Sequence, residues 1–249
     1  MTNIIIYIFI FLCGLILGGG CNFLIDRLPE KDNKLFKRSH CTKCGSGIKW
    51  YDSIPLVSYA ILLGRCRHCK ARISIQYPLV ELINGAGYIL IFVVNGVNVL
   101  SALYCLAFSI LMIITVIDWR TYEIPPSLNL MLGTLGVIRI ILDFPHLLDY
   151  LIGFCAVSGF LYLLFILTRG RGIGGGDIKL MAAAGLFIGW KNIILALALG
   201  CILGSIIHIV LMTTCSKDRV LAFGPYLSAG IVIAMLYGDQ LISWYVGLL

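Results

Sequence analysis

At 249 residues, 60% of them hydrophobic and only 12% charged, with a mean hydropathy of +0.98, the chain is too apolar for a soluble domain. It reads as an all-α membrane protein whose solvent is the bilayer. The net charge of +7 could suggest nucleic acid, but cytosolic loops of membrane proteins are basic as a rule, so no nucleic acid is expected and anionic lipid is the fitting partner.

The first uncharged run, residues 3–25, is long enough to cross a hydrocarbon core of about 30 Å at roughly 1.5 Å per residue, and is helix one. Its tail, Leu17-Gly18-Gly19-Gly20-Cys21, has the look of a lipoprotein signal, yet no basic residue precedes the apolar stretch as a signal peptide requires. Eleven Lys and Arg then lie between Arg27 and Arg72, in a segment with proline, glycine and four cysteines. This is the soluble module. Residues 82–117 carry no charge and as one helix would extend about 54 Å, so Asn95-Gly96-Val97-Asn98 is expected to turn a hairpin between helices two and three. Further spans fit 127–142, 148–168, 192–215 and 220–238, with a short candidate at 178–190.

Counting the short piece gives about eight transmembrane helices with the N-terminus external. The positive-inside rule agrees, because 17 of the 19 Lys and Arg then fall on the cytosolic side and only Arg139 and Lys191 outside it. The expected organisation is helix one at 1–25, a small cytosolic loop domain at 26–77 between helices one and two, and a transmembrane domain at 78–249.

Within the loop domain, Cys41-Thr42-Lys43-Cys44 and Cys66-Arg67-His68-Cys69 are two C-x2-C pairs separated by 21 residues, close to the spacing of tetrahedral structural zinc. Four thiolates on one ion would fold a loop too small for a sufficient core of its own, and they leave no open position for catalysis. Disulfides are the competing reading, opposed by the reducing cytosol to which the loop is assigned. His40 and His68 flank the ligands and could replace a cysteine. Cys13, Cys21, Cys105, Cys155, Cys201 and Cys215 lie in or beside helices and read as small apolar packing residues.

Asp118 and Asp177 carry the functional argument. A carboxylate in hydrocarbon costs at least roughly 2.5–3.5 kcal/mol unless it faces a polar cavity or a partner. The topology brings both to cytosolic helix ends although 59 positions separate them. Taken alone, Asp177 could be the N-cap of a helix beginning at Ile178, and Asp118 an interfacial charge beside Trp119 and Arg120. Together with the glycines before Asp177 they suggest proteolysis. A peptide bond must be extended before it can be attacked, and Gly174 and Gly176 leave backbone against which a substrate strand could lie. A phosphate-binding loop is the rival use of such glycines, but no GK[ST] ending is present. Two nearby carboxylates share one proton: the ionised member activates water and the protonated member stabilises the oxyanion.

These residues resemble the type IV prepilin peptidases, membrane aspartyl proteases with a G-x-G-D motif. GIGGGDIKLMAAAGLFIGW over residues 172–190 is similar to the family's second catalytic segment and VIDWRTYEIPPSLNL over 116–130 to the first. CNFLIDRLP from Cys21, QYPLVEL from Gln76 and FGPYL from Phe223 resemble three further segments. The family usually has aspartate where this chain has Pro126, which bears on the geometry of that loop. The resemblance implies that Asp118 and Asp177 are the catalytic acids. It also implies an inner or plasma membrane location with the active site facing the cytosol. The implied substrates are pilin-like precursors whose short basic leader stays in the cytosol. Glu81, at the cytosolic start of helix two, could attract that leader or simply pair with Lys70 or Arg72. The family further implies N-methylation of the new N-terminus with S-adenosylmethionine, although 31–72 holds no glycine-rich cofactor fingerprint and the loop could serve docking alone.

Two other classes stay open. An ion-coupled transporter would also place acids in the membrane, but no repeat of the 172–177 segment occurs in the chain. A non-enzymatic assembly factor would use the zinc loop and leave the aspartates unexplained.

Overall fold

The computed structural model describes residues 2–29, 43–47, 52, 55–214 and 222–248. Among them nine α-helices follow one another: α1 (Thr2–Arg27), α2 (Val57–Ile61), α3 (Gln76–Asn95), α4 (Val99–Thr121), α5 (Pro126–Leu142), α6 (Leu147–Leu167), α7 (Gly175–Ile188), α8 (Trp190–Thr214) and α9 (Gly224–Val246). The expected eight membrane helices are all helical, and the hairpin turn at 96–98 separates α3 from α4. Among the described residues six helices are long and apolar enough to cross a bilayer, so the structure does not confirm eight spans. The two that fall short are α5, with 17 residues, and α7, with 14.

The chain divides into two compact units, Met1–Ser101 and Ala102–Leu249. In the first, α1 packs on α3 through glycines spaced one turn apart, because in lipid helices attract by close van der Waals contact and small residues permit it. A Cβ on Gly14 would stand 2.7 Å from Gly85 Cα, and one on Gly18 the same distance from Glu81 Cα. Polar side chains then bridge the seam: Asn84 Nδ2 donates to Gly14 O at 2.8 Å, Asn22 Nδ2 to Tyr77 O at 2.9 Å, and the Tyr77 hydroxyl to Asp26 at 2.6 Å. Helix α1 runs unbroken through Cys21, which is buried. Ile4, Phe9 and Ile16 stay exposed on the other side, as a lipid-facing surface requires.

In the second unit α7 is the central element, packed by α5, α6, α8 and α9. Leu180, Met181 and Ala184 are fully buried, so this short helix is solvated by protein rather than by lipid. Gly153 of α6 and Gly185 of α7 bring two backbones together: a Cβ on either would collide with the other's carbonyl. Gly230 brings α9 against α8 in a similar way: a Cβ there would collide with the Ala196 carbonyl and stand 3.0 Å from Gly200 N. At Gly189 the backbone adopts φ +83°, which lets α8 start immediately after α7 in a new direction.

Candidate active site

The last turn of α4 carries Asp118, and the chain then reverses through Tyr122, whose φ of +56° is left-handed, into Ile124-Pro125-Pro126. Pro126 is the first residue of α5, where the missing N–H has no intrahelical partner to lose and the fixed φ suits the helix. The loop whose geometry this proline put in question is therefore a helix start that proline favours.

Asp118 is 5% exposed. Its Oδ2 accepts the Gly224 N–H at 2.9 Å, across 106 positions of sequence. Gly224 is the first residue of α9, so the carboxylate meets one of the unpaired N–H groups and the positive dipole end of that helix. A Cβ on Gly224 would lie 2.7 Å from Oδ2 and 3.0 Å from Cγ of Asp118, so only glycine leaves room for the acid.

Asp177 lies in the first turn of α7, three residues after the N-cap Gly174. The helix starts earlier than a cap at Asp177 would require, and the carboxylate reaches back to a backbone hydrogen bond from Gly174. Asp118 and Asp177 are close enough to act on each other electrostatically. The structure thus brings together the two acids singled out in the sequence, each at a helix N-terminus.

The glycines before Asp177 serve different ends. Gly174 is extended, with φ −74° and ψ 139°, and a Cβ there would sit 3.0 Å from Asp177 Oδ2. The side-chain position of Gly176 is taken by Ile124, 3.1 Å away, whereas Gly175 borders open space. Sequence reasoning gave Gly224 no role, although the FGPYL segment that contains it stood out.

Two other acids of this unit are engaged elsewhere. Asp143 bonds His146 and Tyr150, which holds its carboxyl below the usual carboxylate range, and Asp149 accepts the Trp190 indole N–H at 3.1 Å.

In the first unit, the thiols of Cys44, Cys66 and Cys69 lie within 4.8 Å of one another. Tetrahedral zinc, with Zn–S near 2.3 Å, asks for sulfurs about 3.8 Å apart, so this donor set fits the ion. Cys44 and Cys69 are each followed by a left-handed residue, Gly45 at φ +69° and Lys70 at φ +57°. Residues 65–72 close as a hairpin, with Arg65 bridged to Arg72 and Cys66 N donating to Ala71 O at 2.8 Å. Cys41 and His40 lie outside the described residues. Glu81 is buried, and its Oε2 accepts the Leu56 N–H at 2.9 Å; neither Lys70 nor Arg72 is its partner among the described residues. Cys21 and Cys105 are buried as expected of packing residues, whereas Cys155 and Cys201 are exposed.

Residues 12–95 match the Bacterial Peptidase A24 N-terminal domain and residues 105–209 the Type IV leader peptidase family. The chain is similar to the Prepilin leader peptidase/N-methyltransferase of Burkholderia pseudomallei (strain 1026b), 35% identical over 226 residues that cover 86% of this chain and 71% of that one. It is similar to those of Aeromonas salmonicida (strain A449), 33% identical over 272 residues (95% and 92%), and Bacillus subtilis (strain 168), 32% identical over 242 residues (95% and 96%). No solved structure matches it.

Proposed function

This chain belongs to the type IV leader peptidase family, and on that premise we propose that it is a membrane aspartic endopeptidase that removes the basic leader of type IV pilin-like precursors, with Asp118 and Asp177 as its catalytic pair. The observation that carries this reading is the meeting of those two acids, drawn from distant parts of the chain onto the N-termini of α9 and α7. Two carboxylates this close hold one proton between them. The ionised member takes a proton from water as it attacks the scissile carbonyl. The protonated member donates a hydrogen bond to the oxyanion that develops.

Gly174 keeps a side chain away from Asp177, Gly176 makes room for Ile124, and the open space beside Gly175 is where an extended substrate backbone lies. The site faces the cytosol, the N-terminus is external, and precursors arrive with the leader in the cytosol and their apolar helix in the bilayer, as the distribution of Lys and Arg supports. Residues 26–77 form the cytosolic loop domain, held by structural zinc on Cys41, Cys44, Cys66 and Cys69; residues 78–249 form the transmembrane peptidase domain. Zinc supplies a fold there, since four thiolates leave it no open position. Glu81 has no cation beside it among the described residues and offers its carboxylate to the leader's positive charges.

The relatives' names include N-methyltransferase, and we extend that activity to this chain with S-adenosylmethionine as methyl donor. One experiment tests both halves: incubate the purified protein in detergent with a pilin-like precursor and S-adenosylmethionine, then sequence and weigh the product. Cleavage at the leader boundary with a methylated N-terminus is expected. An intact precursor refutes the peptidase, and an unmethylated product refutes the second activity alone.

A further inference from the structure

Buried polar groups without partners are rare, because in a low-dielectric interior each carries an uncompensated desolvation cost. Three of them lie near the starts of α5 and α9, the helices that begin beside the paired aspartates. Asn129, on the first turn of α5, is 6% exposed, and neither its Nδ2 nor its Oδ1 has a partner among the described residues. Tyr226 and Ser228, at the start of α9 close to Gly224 in sequence, also bury hydroxyls without partners among the described residues. Among the described residues no group of the fold pairs with the Asn129 amide.

The register between α5 and α7 locates Asn129. Gly176 faces Ile124 at 3.1 Å, Gly133 faces Ala183 at 3.9 Å, and Gly136 faces Leu186 at 3.1 Å. Both numbers rise together, so the chain runs parallel in the two elements from the aspartate end inward. Asn129 then sits about one turn, roughly 5 Å, further in than Asp177. It lies on the side from which the apolar part of a precursor would approach.

We infer that Asn129 is a substrate-binding residue whose amide pairs with a backbone peptide group of the precursor just beyond the scissile bond. The inference rests on the proposed peptidase reading. Cleavage requires the first turn of the precursor's apolar helix to unwind, and each unwound peptide group loses partners that hydrocarbon cannot replace. A side-chain amide offers one donor and one acceptor face, which is what an exposed peptide group needs. Asn129 thereby selects extended backbone at a set depth and is indifferent to the side chains the precursor carries.

The test compares two precursors, one natural and one with a single backbone ester in place of an amide at the first or second bond after the cut. The ester removes one N–H donor. Binding is measured on full-length protein carrying Asp177→Asn, so that neither precursor is consumed, with and without Asn129→Leu. With Asn129 present, the ester is expected to bind about tenfold more weakly. With leucine there, the two precursors bind alike. An ester penalty of equal size in both proteins overturns the inference and leaves Asn129 as the holder of a buried water. Should the leucine variant fail to fold, Asn129→Ser carries the same comparison. Failure of the unmodified protein to cleave the natural precursor refutes the peptidase reading instead.

Discussion

Asp118 and Gly224 form the most constrained contact at the site, since the carboxylate occupies the volume a side chain on Gly224 would need. Gly224→Ala should therefore move Asp118 by a fraction of an ångström to an ångström and lower kcat about 10²-fold, with membrane insertion unchanged. A steady-state assay beside an expression control checks this; an alanine variant with full activity would show that the acid tolerates displacement. The two aspartates were legible in the sequence, because charge at the end of an apolar run asks for an explanation. Gly224 was not, because nothing local tells that α9 begins against α4, 106 positions away. The alternative of Asp177 as a cap fails for a related reason. Gly175 and Gly176 are poor helix formers, but tertiary packing extends α7 through them.

The helices are held by glycines that touch backbone, and those that do not touch anything provide the control. Gly153→Leu would drive a side chain into the carbonyl of Gly185 and should lower the midpoint of thermal unfolding in detergent sharply, or prevent folding. Gly159→Leu, whose Cβ meets nothing within 4 Å, should leave it nearly unchanged. Equal effects would contradict the packing described for α6 on α7. The metal knuckles are a separate element with a separate readout. Cys44→Ser should lower bound zinc, measured by elemental analysis, and spare peptide cleavage more than it spares the loop. Cleavage that disappears while the loop stays folded would instead favour a catalytic metal. The C-x2-C spacing pointed to the cluster in which Cys44, Cys66 and Cys69 meet, whereas the exact ends of helices did not announce themselves: α9 continues through Asp239 to Val246, eight residues past the expected stop.

At the scale of the molecule, the six-helix count and the eight-span topology differ over α5 and α7, and the charge pattern argues for eight. Cysteines introduced at Val97 and Leu248 should react with a membrane-impermeant thiol reagent applied to whole cells, while one at Arg171 should not. Labelling of Val97 without Leu248 would mean that one of the short helices fails to cross. Membrane character and element order were readable from hydropathy, because apolar runs and their interruptions are local. The burial of α7 by four neighbours was not readable, and it explains how a helix of 14 residues stands within the bundle.

The central claim is that Asp118 and Asp177 act as one chemical unit, and the most direct measurement is the cleavage rate of Asp118→Asn, Asp177→Asn and the double variant on one precursor. All three should fall to the same residual rate, because a pair that shares a proton is lost when either member is lost. Single variants that each keep part of the rate, with losses that multiply in the double variant, would mean two acids working independently and would contradict the account.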